Sequence, residues 1–155
     1  IKAAAQTKKV VNVKKGQFLS HKEVENIILK IENENNRKIL ITERGNSFGY
    51  NNLVVDMLNF QIMKDLGVPV IFDATHSLQL PGGLGNAAGG RREYLLPLAK
   101  AGLSQGIAGL FIEAHPDPDL AKCDGPCAIS TDEIPAVLSQ LSELDDFIKN
   151  QDRNI

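Results

Sequence analysis

The chain has 155 residues, 43% of them hydrophobic and 23% charged, which is enough apolar side chain for the core of one domain and excludes disorder as its main state. Its longest apolar runs, 68–72 and 109–112, are strand-sized, far short of the ~20 residues that cross a bilayer. Seventeen Lys and Arg against 19 Asp and Glu leave a formal charge of −2, with no global pull toward nucleic acid, and the length is below the roughly 200 residues of a complete (β/α)8 barrel.

Residues 1–6 read as a helix with no cap before it, and no apolar run of a signal peptide precedes them. The chain is therefore expected to be truncated at its start. An apolar run at 10–13 predicts the first strand. Ser20, with Glu23 three residues on, forms a capping box. Val24, Ile27, Ile28 and Ile31 then trace one face of a helix. A second strand is predicted at 39–42. A helix is predicted over 51–66, with Leu53, Val54, Met57, Phe60 and Met63 inward and Gly67 just past its end. The third strand is predicted at 68–73 and the third helix over 91–105, stopped by Gly106. A fourth strand follows at 109–113. The last helix starts from Ser130, again with a boxed Glu133, and carries Val137, Leu138, Leu141, Leu144 and Ile148.

These strands are apolar throughout, as parallel strands covered on both faces are. Strand and helix alternate every roughly 30 residues, the βαβ rhythm. Such sheets place chemistry at the C-terminal ends of their strands. Here those ends are polar: Lys14-Lys15-Gly16; Glu43-Arg44-Gly45; Asp73, Thr75 and His76; Glu113 and His115, followed by Cys123-Asp124-Gly125-Pro126. A Gly-rich loop runs from Gln79 to Arg92.

Singly, each has an ordinary reading: Lys14 and Lys15 as solvated loop charges, Arg44 as a structural ion-pair partner, His76 as a buried histidine, Glu113 as a structural carboxylate. Asp124 suits an Asp-Gly turn, and the glycines suit a flexible loop. Four successive strands delivering ionisable groups to one rim is what favours a site. Lys and Arg together suit a phosphate or carboxylate. His, Glu and Asp hold a divalent metal or move protons around a carbonyl. A Gly-rich loop can close over such a site. Cys123 and Cys127 lack a second Cys/His pair and do not make a structural zinc site. Two cysteines make no disulfide framework, so a reducing, cytoplasmic setting is expected.

In order along the chain, Val11–Phe18, Thr42–Gly45, Phe48–Asp56, Phe72–Gln79, Gly89–Arg92, Phe111–Pro118 and Cys123–Pro126 resemble 3-deoxy-D-manno-octulosonate 8-phosphate synthases. The resemblance implies a single partial TIM-barrel domain over 1–155, the C-terminal half of a (β/α)8 barrel, strands five to eight. It implies an aldol-type condensation of phosphoenolpyruvate with D-arabinose 5-phosphate, leading to the Kdo of lipopolysaccharide, in a cytoplasmic homotetramer. Residues matching Lys14, Arg44 and Gln79 bind substrate there. Those matching Lys14, His76, Glu113 and Asp124 line the reacting centre. The family has a metal-requiring and a metal-free class, told apart by a Cys or Asn near the start of the barrel, outside this chain. The segment Cys123–Pro126 resembles the metal-free class, so no cofactor is expected; a divalent metal at His76, Glu113 and Asp124 is the alternative. Two other readings stand beside this one: the sister synthase that uses erythrose 4-phosphate, and a non-catalytic half-barrel. The isolated chain is expected to be inactive, with no nucleic-acid or membrane partner.

Overall fold

The computed structural model describes residues 1–85 and 88–152. Asn86 and Ala87, within the expected Gly-rich loop, lie outside the described residues. Four parallel strands, Val11–Lys14, Ile39–Glu43, Val70–Asp73 and Gly109–Phe111, form one sheet in the order of the sequence. The first and the fourth are its edges. Helix α1 (Lys2–Gln6) precedes them. Helices α2 (Val24–Glu32), α3 (Leu58–Lys64) and α4 (Leu95–Leu103) fill the crossovers, and α5 (Ile134–Asp152) follows the last strand. Among the described residues, no helix is long and apolar enough to cross a membrane.

The two faces of the sheet differ. Side chains alternate along a strand, and Val11, Ile39, Ile41, Val70 and Phe72 all point into a core with Val24, Ile27, Ile28 and Ile31 of α2, Phe60 and Met63 of α3, Ala99 and Leu103 of α4, and Leu141 of α5. The register aligns Lys14, Thr42, Ile71 and Gly109 across the opposite face. There Thr42 and Asp73 are shielded, Leu40 and Ile71 are half-buried, and Asn12, Lys14 and Phe111 are exposed. The expectation of a sheet covered on both sides is thus corrected: among the described residues, helices cover one face only.

Both capping boxes form. The Ser20 N–H donates to Glu23 Oε2 at 2.8 Å and the Ser130 N–H to Glu133 Oε2 at 2.9 Å. The first of these bonds holds the Glu23 carboxyl below its usual range. The helix expected over 51–66 starts only at Leu58. Leu53–Val54 instead pairs antiparallel with Asn46–Ser47, and Asn51 takes a left-handed backbone, φ +52°. A hairpin therefore occupies the first two turns. The Leu58 N–H is taken by Asp56 Oδ1 at 3.0 Å, the side-chain acceptor that opens the shorter helix.

Candidate active site

Asp73 is the hub of the rim. It is fully buried and ends the third strand. Lys14, at the end of the first strand, reaches its Oδ2 at 2.6 Å. His76 Nδ1 lies 2.8 Å from the same oxygen, and the His76 backbone N–H donates to Oδ1 at 2.9 Å. Burial pushes this carboxyl up, but hydrogen bonds from the His76 and Lys14 side chains and the His76 backbone outweigh it, so it titrates below its usual range. The ammonium of Lys14 also sits 3.8 Å above the Phe111 ring, a cation–π contact.

Asp73 turns the imidazole so that Nε2 faces two more carboxylates, Glu113 Oε2 at 3.0 Å and Asp124 Oδ2 at 3.9 Å. An imidazole nitrogen that close to a carboxylate needs a proton on one of them or a cation between them. One ligand atom from each of His76, Glu113 and Asp124 lies within 4.8 Å of the other two. With Nδ1 held by a carboxylate, the set has the form of a metal ligand and its orienting partner, and it fits a divalent cation as well as it fits proton transfer.

Gln79 joins this trio to Arg44. Its amide donates to Asp124 Oδ1 and its Oε1 accepts from Arg44 Nη2 at 2.6 Å. The same guanidinium nitrogen lies 3.5 Å from the His76 carbonyl. Asp124 has a left-handed backbone, φ +54°; its carbonyl accepts the N–H groups of Cys127 and Ala128. Gly89–Gly90 pairs with Gln79–Leu80, so the described part of the Gly-rich loop is a hairpin. A Cβ on Gly90 would lie 2.3 Å from Cys127 Sγ. That glycine is therefore required by close packing against the turn that carries Asp124. Burial pushes the Cys127 thiol up, only partly offset by the backbone N–H of Arg91.

All six site residues expected from the sequence, Lys14, Arg44, His76, Gln79, Glu113 and Asp124, are brought together. His115 is not among them; its ring Nδ1 accepts the Asp117 N–H at 3.0 Å. Lys15 is also corrected: it is fully buried, not a solvated loop charge, and lies 3.5 Å from an equally buried Glu43. Strand alternation carries the signal for this, because adjacent lysines at a strand end must point to opposite faces. In the sequence Asp73 stands out as a strand-end residue, not as the hub. The clue is its place three residues before His76, within reach of that residue's backbone and ring. A cavity of about 640 Å³, lined by Leu110, Ile112, Val137 and Leu141 among others, lies between the fourth strand and α5 and contains none of the six.

The DAHP synthetase I family profile matches residues 1–150. The 2-dehydro-3-deoxyphosphooctonate aldolase of Stutzerimonas stutzeri (strain A1501) is 59% identical over 148 residues, covering 96% of this chain and 53% of that protein. The aldolase of the same name from Hahella chejuensis (strain KCTC 2396) is 56% identical over 149 residues, again 96% and 53%. The chain thus spans about half the length of the curated relatives it matches. With a family match over nearly its whole length and the rim constellation in place, the chain belongs to the DAHP synthetase I family.

Proposed function

We propose that this chain is the C-terminal half of the (β/α)8 barrel of a 3-deoxy-D-manno-octulosonate 8-phosphate synthase. The full-length enzyme would condense phosphoenolpyruvate with D-arabinose 5-phosphate and water, giving the eight-carbon sugar acid phosphate and inorganic phosphate. It would serve lipopolysaccharide synthesis as a cytoplasmic homotetramer. The observation that carries the reading is the continuous chain of contacts Lys14–Asp73–His76–Glu113/Asp124–Gln79–Arg44 along one rim of the sheet. The names of the relatives support the octulosonate branch over the erythrose 4-phosphate branch.

In this reading Lys14 and Arg44 bind the phosphate and carboxylate of phosphoenolpyruvate. As C3 attacks the sugar aldehyde, charge shifts onto the aldehyde oxygen and C2 becomes electron-poor. Water adds at C2, and the bond from C2 to the phosphate oxygen breaks with loss of phosphate. Cations aimed at the departing phosphate supply the electrostatic part of such catalysis. His76, with Nδ1 anchored on Asp73, would present Nε2 to a proton shared with Glu113 or Asp124. We place the enzyme in the metal-free class, on the wording of Cys123–Pro126. The trio would hold a divalent cation in the other class, where that ion acts as a Lewis acid on an oxygen.

The test is phosphate release by the polypeptide at the full length of its relatives, offered each aldose phosphate in turn. Turnover with arabinose 5-phosphate is expected. A preference for erythrose 4-phosphate would move the chain to the sister synthase. Stoichiometric zinc or iron in the active protein would overturn the metal-free assignment.

A further inference from the structure

Lys15 and Glu43 are left over by this chemistry. Both side chains are wholly buried, and their charged atoms lie 3.5 Å apart. The Lys15 ammonium also donates to Asn46 Oδ1 at 2.9 Å, to the Leu19 carbonyl at 3.2 Å and to the Gly45 carbonyl at 3.5 Å. Asn46 is itself held by its amide on the Leu19 carbonyl at 2.7 Å. Glu43 Oε1 accepts the N–H of Arg44 at 2.9 Å and that of Gly45 at 2.6 Å, and Asn59 donates to its Oε2 at 3.5 Å. One carboxylate oxygen therefore grips the two peptides at which the chain leaves the second strand. The ammonium that neutralises it sits on the residue next to Lys14.

Burying two charges is costly, and apolar side chains of the same volume often hold a core as well or better. What an apolar pair cannot do is fix two peptide N–H groups and a neighbouring strand end in one register. We infer that Lys15 and Glu43 are positioning residues that set the spacing of Lys14 and Arg44 for phosphoenolpyruvate, and for that substrate alone. The inference rests on the synthase reading above. Neither residue touches the substrate; each acts through the residue beside it. A shift of the Arg44 peptide by an ångström would carry the guanidinium out of line with its ligand.

The experiment uses the full-length polypeptide containing this chain. Glu43→Asp keeps the charge but shortens the reach; Glu43→Gln keeps the reach and removes the charge. Both are expected to weaken phosphoenolpyruvate binding by calorimetry, and to lower kcat/KM for it by about tenfold to a hundredfold, the scale of an ångström's misplacement. kcat should fall as well, because the same two cations face the departing phosphate, while the KM for the aldose phosphate should be unchanged, because Lys14 and Arg44 bind only one substrate. Unchanged phosphoenolpyruvate affinity in a folded variant, or equal loss for both substrates, overturns the inference. So does loss of fold in Glu43→Asp, which would mark the pair as structural. If the unsubstituted protein binds phosphoenolpyruvate but makes no eight-carbon product, the synthase reading fails alone and the binding ratios still decide the inference. If it binds none, both fall.

Discussion

The residue whose removal should matter most at the rim is Asp73. It is the shared acceptor of Lys14 and His76, so its loss frees a cation and unlocks a ring at once. Its carboxyl titrates below the usual range because those hydrogen bonds outweigh burial. A carboxylate depressed in the folded state stabilises the fold at pH values above its unfolded pKa of about 3.9. That contribution is lost as the pH falls through the lower, folded value. Asp73→Asn should therefore lower stability at pH 7 and flatten the loss of stability on acidification below about pH 4. Urea unfolding midpoints of both proteins at pH 7 and pH 3 check this. A difference between them that is the same at both pH values would show that the ionised Asp73 adds nothing to the fold. The site residues were readable from the sequence because Lys14 ends a strand, Arg44, His76 and Glu113 follow one within three residues, and Gln79 and Asp124 stand in the loops that leave the third and fourth strands, where the parallel-sheet rule says to look. The hub was legible only in part: His76 is a local partner three residues on, but Lys14, the other partner, lies 59 residues away in the sequence.

At the scale of the element, the helices follow from capping and periodicity wherever packing agrees with them. Ser20 with Glu23, and Ser130 with Glu133, mark the starts of α2 and α5. Gly67 and Gly106 take positive φ just past α3 and α4. Where the reading failed, at 51–57, the apolar residues Leu53 and Val54 carried two meanings. Their spacing to Met57 and Phe60 suits a helix, yet adjacent residues with one buried and one exposed are also a strand. The left-handed Asn51 decides for the hairpin. The contact between α4 and the third strand offers a sharper test. A Cβ on Gly102 would lie 2.3 Å from Phe72 Cδ1. The Phe72 ring cannot withdraw freely, since it packs edge-on against Phe60 at 5.1 Å between centroids and both are fully buried. Alanine favours a helix over glycine by about 1 kcal/mol, whereas overpacking a core costs about 1–3 kcal/mol. The clash should win, and Gly102→Ala should lower the thermal midpoint. A raised midpoint would mean that α4 slides outward at little cost.

At the scale of the whole molecule, the decisive fact is the uncovered face of the sheet. It carries Leu40, Ile71 and Phe111 beside Lys14 and Asp73, and among the described residues no helix packs on it. Along the rim, two cations, Lys14 and Arg44, face three carboxylates, Asp73, Glu113 and Asp124, with His76 among them. Lys14 is already matched by Asp73, and Arg44 is turned toward Gln79. Such a balance does not attract a substrate bearing both a phosphate and a carboxylate. In a barrel, the strands opposite would supply further positive charge and the wall that excludes water, without which electrostatic catalysis weakens. The 155-residue polypeptide on its own should therefore release no phosphate from phosphoenolpyruvate and arabinose 5-phosphate, while the same residues within a chain of the relatives' length do. A phosphate-release assay on both proteins checks this. Turnover by the short polypeptide would mean that the rim described here is sufficient, and that the charge missing from it is not needed for the chemistry.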